Sequence, residues 1–462
     1  MTNGATVMEG PLTTVNRLDQ NAASLSAEIT WFAAVVNARL SGYFNKETAG
    51  ASPEDTTPPD LVNDHSVYAE FVSYYKLTRD ERLLLMLTLI PHVQPHLLDV
   101  FFSINKASGR GHTEFGGIKG ARHSGFLPTI ETALFLLAGN DLAHRFRLQK
   151  LFEPEHIFSA HQIITIDPPP GNEPFYSSPV SISEEYVDFF TTGQFRKPAF
   201  SMEFPARRLS TSLNWTDLVV DEFTAQQLDE LRIWVQHGAR LYDDWGMSKK
   251  LKPGYKVLFH GPPGTGKTLT ASLLGKLYNL DVYRVDLSMV ISKYIGETEK
   301  NLEKVFKKAE NKNWILFFDE ADALFGKRTT ISDSHDKYAN QEIAYLLQRL
   351  EDYRGLVILA SNMRNNVDEA FTRRLQAIIH FQAPRPRERL RLWHNAFSRQ
   401  CQPPGVAELE RIAQQYELSG GAIMNVVQYA SLMALNRNSS HILVDDLLQG
   451  IRKEFKKEGK TI

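Results

Sequence analysis

The chain of 462 residues holds a single cysteine, Cys401. No intramolecular disulfide can therefore form, and a bridge-stabilised secreted fold is excluded. Long apolar runs are missing too: no stretch approaches the roughly 18 residues a membrane helix needs. Met1 to Leu12 lacks the basic, apolar, small-residue order of a signal peptide. The expectation is a cytoplasmic protein without membrane insertion. Net charge is nearly absent, with 52 Lys and Arg against 54 Asp and Glu leaving −2. Affinity gained by coating a polyanion needs a larger excess, so nucleic acid is not the expected partner, although a local basic channel stays open.

What is present, 42% hydrophobic and 23% charged residues, is the composition of a soluble globular chain too long for one core. Its length suggests about three units. Residues 1–60 read as an amphipathic helix from about Val15 to Phe44, followed by a proline-rich acidic linker, Ala51 to Asp60. Residues 61–195 read as a mainly helical, winged-helix-like module. In it Thr78 and Glu81 have capping-box spacing before the apolar run Leu83–Ile90, which Pro91 and Pro95 should break. The glycine-rich segment Gly109–Gly125 carries Arg110, Lys119 and Arg122 but has neither a strand before it nor a helix after it. We expect a surface loop there.

Residues 196–213, with Pro198, Pro205 and several arginines, read as a linker. From Asn214, apolar runs alternate with helical patterns: Lys256–His260, Asp281–Val285, Trp314–Phe318, Leu356–Ser361 and Ala377–Phe381. Such alternation predicts an α/β fold, a parallel sheet with flanking helices, over residues 214–383. After Pro384 the strands stop, and residues 384–462 predict a helical lid with a basic tail.

Chemistry concentrates in the α/β region. The run Gly261-Pro262-Pro263-Gly264-Thr265-Gly266-Lys267-Thr268 follows a predicted strand and opens a predicted helix. Its glycines let backbone N–H groups curl inward, and the helix N-terminus adds partial positive charge, so the run is a phosphate-binding loop, or Walker A motif. Lys267 would reach the β- and γ-phosphates of ATP, and Thr268 would ligate Mg²⁺. Farther on, the apolar run Trp314–Phe318 ends in Asp319 and Glu320, a Walker B pattern. Neighbours in a regular strand face opposite ways, so both carboxylates must sit where the chain leaves the sheet. There Asp319 would hold Mg²⁺ through its water shell and Glu320 would act as general base. Asn362, after the next run, is placed to bind the γ-phosphate or orient the water. Arg373 and Arg374 offer the guanidinium that a phosphoryl-transfer site with one lysine still lacks.

Gly261–Thr268, Asp319-Glu320, Asn362 and Arg373-Arg374, in this order and with a helical lid, resemble the AAA family of ATPases over about Asn214 to Phe455. The resemblance implies ATP and ADP as ligands, Mg²⁺ as cofactor, and a homo-hexameric ring in which the paired arginines reach a neighbour's nucleotide. It implies that Gly421 and Ala422 of the lid, with Leu218 and Val219, lie against the base. It also implies that Lys293-Tyr294-Ile295 is a pore loop, whose aromatic would grip an extended polypeptide through area rather than particular hydrogen bonds. The N-terminal 200 residues, Trp245-Gly246, Phe259–Pro263 and Asp336–Gln341 resemble the bacterial AAA ATPases of contractile, phage-tail-like injection systems, with the N-terminal module as adaptor for a protein substrate.

Asp319–Asp322 also spells the signature of a DEAD-box RNA helicase, but that family's Ser-Ala-Thr and His-Arg-x-Gly-Arg motifs are absent and the C-terminal region is too short for its second sheet domain. Two other readings stay open at this point. One is a nucleotide-gated scaffold that does not thread its partner; the other is a DNA-handling motor.

Overall fold

The computed structural model describes residues 11–44, 52–106, 109–120, 122–169, 171–201, 204–290, 297–310, 312–322, 344–362, 372–457 and 459. It divides into two compact units, Met1–Lys197 and Pro198–Ile462.

The first unit is mainly helical. Leu25, Ile29, Phe32 and Val36 recur at helical spacing along helix Pro11–Phe44 and are all buried. The capping box forms: the Thr78 N–H donates to Glu81 Oε2 at 2.6 Å and opens helix Arg79–Val93. That helix runs past Pro91. Proline there removes only one intrahelical N–H, near the helix end, and Gln94 N still donates to Ile90 O at 2.9 Å.

Among the described residues the unit also holds three short antiparallel pairs: β1 (Ile104–Asn105) with β2 (Arg110–Gly111), β3 (Ile118–Lys119) with β4 (Phe126–Leu127), and β5 (Ile164–Ile166) with β6 (Val180–Ile182). The segment 109–125 is therefore not simply a surface loop. It carries β2 and β3 and sends Phe115 into the core, fully buried. Gly117 sits at φ +80°, and a Cβ there would fall 2.0 Å from the Phe126 ring. The glycine serves close packing as well as turning.

Inside this core lies an ion pair. Glu28 is fully buried, accepts from the Arg82 guanidinium, and accepts from Tyr68 Oη at 3.0 Å. Burial pushes the Glu28 carboxyl up from its ordinary value, against the pull of Arg82 and Tyr68. Removing one partner of a buried pair leaves the other uncompensated, at a cost of about 3–5 kcal/mol. Arg82→Met is expected to lower the unfolding free energy of the first unit by that order, measured by denaturant titration. A carboxyl with a raised folded pKa favours the fold below its unfolded pKa and loses that contribution as pH rises through the folded value. The deficit of Arg82→Met should therefore shrink as the pH is lowered toward 4.5, the ordinary value for glutamate.

The second unit is built on a six-stranded sheet of order β12-β8-β11-β10-β9-β7. Its parallel members are β8 (Tyr255–His260), β9 (Val282–Val285), β10 (Ile315–Phe318), β11 (Leu356–Ser361) and β12 (Ala377–His380). Side chains alternate between two cores. Val257, Phe259, Ile315, Phe317 and Ile358 meet helices Glu222–Asp243 and Lys267–Tyr278; Leu258, Leu316, Phe318 and Val357 meet helix Glu297–Ala309 and the helix over residues 344–352. Coverage on both faces explains the near-continuous apolar runs.

The sixth strand corrects the sequence reading. Residues Ala206–Leu209, within the expected linker 196–213, form β7 and pair antiparallel with β9, Ala206 opposite Val285 and Leu209 opposite Val282. Arg207 and Arg208 are exposed, as suits a charged edge strand, and they obscured the apolar alternation in the sequence.

Four helices, Pro386–Ala396, Val406–Gln415, Gly420–Asn436 and Val444–Lys457, form the lid around fully buried Trp393 and Ile423.

Candidate nucleotide-binding and active site

Strand order assembles the site. β11 lies between β8 and β10, so the segments leaving the C-terminal ends of three neighbouring strands are adjacent: Gly261–Gly266 after β8, Asp319 and Glu320 after β10, and Asn362 after β11. A crevice outside the carboxyl ends of parallel strands is where ligands of open α/β sheets bind.

The loop after β8 has a backbone that favours glycine. Gly264 and Gly266 sit at φ +75° and +104°, and a Cβ on Gly264 would approach Ser419 Oγ to 2.7 Å. That closeness is where the lid docks on the loop. Gly421 N donates to Gly264 O at 3.1 Å, while Ser419 caps helix Gly420–Asn436 by accepting from Ala422 N at 3.3 Å. The first side chain of helix Lys267–Tyr278 turns back: Lys267 Nζ donates to Gly261 O at 2.6 Å, Pro262 O at 3.0 Å and Asn362 Oδ1 at 3.1 Å. Burial pushes the Lys267 ammonium down from its ordinary value, and Asp319 and Asp322 pull it back.

The two carboxylates do leave the sheet at a turn. Glu320 adopts φ +51°, uncommon for a residue with a Cβ, and its N–H donates to Asp319 Oδ1 at 3.0 Å. Asp322 holds the neighbouring strand exit: it accepts from Ser361 Oγ and, at 3.2 Å, from Asn362 N. Asn362 is thus fixed by its backbone while its side chain meets Lys267.

These groups share a cavity of about 600 Å³. Pro263 to Leu269, Asp319, Glu320 and Asn362 line it together with Leu218 and Val219, from the segment before helix Glu222–Asp243, and with Leu392, Gly421, Ile423 and Met424 of the lid. Phosphate-binding and apolar walls in one cavity suit a nucleotide. Ala422 is placed otherwise, in the lid core. Thr268 and Asp319 line the cavity and offer hard oxygen donors near the Lys267 ammonium, so the residues fit Mg²⁺ with a phosphate chain.

Arg373 is exposed and lies outside this cavity. Arg374 is half-buried and its Nε pairs with Glu351, which also takes Lys252 Nζ at 2.6 Å. Lys252 first, then Arg374, holds the Glu351 carboxyl below its ordinary value against burial. Lys293, Tyr294 and Ile295, like Asp336–Gln341, lie outside the described residues.

Three features of the site escaped the sequence reading. Arg284 of β9 reaches Asp319, with 3.1 Å between Arg284 Nη2 and Asp319 Oδ2; a lone arginine in the run Val-Tyr-Arg-Val was the available signal. Glu388 lines the cavity, and its Oε2 is buried without a hydrogen-bond partner among the described residues. Asp322 had no assigned role, and its bonds to the β11 exit have no sequence signature.

Residues 257–383 match the family model described as "ATPase family associated with various cellular activities (AAA)". The proteasome-activating nucleotidase of Aeropyrum pernix is 34% identical over 211 residues, 44% of this chain and 51% of that protein. The 26S proteasome subunit RPT4 of Saccharomyces cerevisiae is 30% identical over 224 residues, 46% of this chain and 51% of that one. A crystal structure of the FIGL-1 AAA domain aligns with 54% of this chain and 85% of its own at 22% identity, with a TM-score of 0.43. The chain spans about half the length of the curated relatives it matches. No single helix among the described residues is long and apolar enough to cross a membrane.

Proposed function

We propose that the protein is a Mg²⁺-dependent, ring-forming ATPase that remodels or threads a polypeptide through a central pore. One observation carries the ATPase reading: Lys267, Asn362 and the carboxylates after β10 share a cavity with apolar residues of the lid and of the segment before helix Glu222–Asp243. The AAA match of residues 257–383 supports it.

In this reading the Gly264–Thr268 backbone and Lys267 bind the phosphates, Lys267 exchanging carbonyl partners for phosphate oxygens. Mg²⁺, when bound, would neutralise phosphate charge, with Thr268 and Asp319 as its holders. Glu320 takes the proton of the attacking water, and Asn362, anchored by Asp322, orients that water or the γ-phosphate. Leu218, Val219 and Gly421 wall the base. Arg373 and Arg374 complete the site of a neighbouring subunit, which makes the active form a homo-oligomeric ring, a hexamer by family resemblance. The first unit recruits the client as an adaptor. Service to a contractile injection system rests on residue resemblance alone.

Phosphate release from ATP and unfolding of a tagged client, measured on wild type and Tyr294→Ala, test this reading. The expected result is that Tyr294→Ala keeps the basal ATPase and loses unfolding. No phosphate release from the wild type would remove the ATPase reading, and unfolding unimpaired by the substitution would remove the pore reading in favour of a scaffold.

A further inference from the structure

Asp319 has both carboxylate oxygens occupied by the protein. Oδ1 accepts the Glu320 N–H at 3.0 Å, and Oδ2 lies 3.1 Å from Arg284 Nη2. The arginine comes from the next strand. β9 pairs in register with β10, Arg284 opposite Phe317, two residues before Asp319. Val282, Tyr283 and Val285 of β9 are buried, and Arg284 alone in that strand is exposed. It alternates with Tyr283 and Val285 and so shares with Val282 the sheet face that carries helix Lys267–Tyr278.

Its other cross-strand neighbour is Arg207 of β7, directly opposite in the ladder. Like charges placed opposite repel, which favours extension of Arg284 toward the carboxylate. Solvent reaches the pair: the Arg284 side chain is 45% exposed and that of Asp319 24%. An ion pair so exposed is weak enough to open.

We propose that Arg284 is a positioning residue that holds Asp319 through Oδ2 and competes with a hydrated divalent cation for that oxygen. The proposal rests on the ATPase reading, in which Asp319 and Thr268 hold the metal. The arginine keeps the carboxylate oriented when no metal is there, and it sets how tightly the metal is taken. A lysine in its place would keep the charge without the planar two-nitrogen face. Cation affinity at the site is thereby tuned by a residue that is not part of the cavity lining.

The test is Mn²⁺ titration of the full chain with a non-hydrolysable ATP analogue, followed by electron paramagnetic resonance, for wild type, Arg284→Ser and Arg284→Lys. Arg284→Ser is expected to tighten Mn²⁺ binding roughly two- to fivefold, the range of an exposed ion pair. Arg284→Lys should lie between wild type and Arg284→Ser. Unchanged or weaker Mn²⁺ binding by Arg284→Ser overturns the proposal while leaving the ATPase reading standing. Nucleotide-dependent Mn²⁺ binding that is absent from the wild type overturns both.

Discussion

Glu320→Gln is expected to stop ATP turnover while ATP stays bound. The substitution conserves size and removes the one property required of a base, its ability to take a proton. General-base catalysis is worth about 10²–10⁴ in rate, and kcat should fall by that factor. Binding should survive because the groups assigned to the phosphates are elsewhere: Lys267, the Gly264–Thr268 backbone and Asn362. The Asp319 position should survive too, since the bond it takes from residue 320 comes from the backbone N–H rather than from the side chain. Single-turnover phosphate release, with chromatography of the nucleotide retained after gel filtration, measures both quantities. Normal steady-state hydrolysis would count against Glu320 as base. If the protein remodels a client, the same variant should retain it, and affinity capture followed by mass spectrometry would identify it.

Arg373→Ala should nearly abolish turnover and leave nucleotide affinity unchanged. In P-loop enzymes a guanidinium at the transferring phosphoryl group is worth about 10³–10⁵ in rate, or about 4–7 kcal/mol. Arg373 is exposed and outside the cavity of its own chain, so in the proposed ring its contribution would be made to a neighbour. This yields a complementation test. Mixed in one assembly, Glu320→Gln subunits supply Arg373 and Arg373→Ala subunits supply an intact base, so part of the activity should return. Two inactive variants that stay inactive when shown to co-assemble would count against action in trans, and so would full activity of assembled Arg373→Ala. Arg374 differs in that its Nε already pairs with Glu351, which Lys252 shares.

Several parts of this arrangement were legible because they depend on local rules. Short apolar runs set between helical patterns marked five parallel strands to within a residue or so, and the glycines of 261–266 announced positive φ angles where they occur. The carboxylate pair could be placed at a strand exit because adjacent residues of a strand cannot face the same way; Glu320 resolves this with a left-handed backbone. β7 was not legible. It has four residues, two of them exposed arginines, and it exists because β9 offers it an edge. Phe115 was similarly hidden among glycines, since nothing local announces that a ring from a loop will fill a core.

By itself, then, the sequence determined the parallel sheet, the phosphate loop, the acidic pair and the lid, each the product of residue type and short-range spacing. Only the tertiary structure decided the rest. It set β11 between β8 and β10, so that Lys267 meets Asn362; it gave Asp322 to the β11 exit and Arg284 to Asp319; and it brought Gly421 onto Gly264. These contacts join residues far apart in the chain. Strand order and lid docking are set by how whole faces pack, and that information is spread over the chain rather than written at the residues that meet.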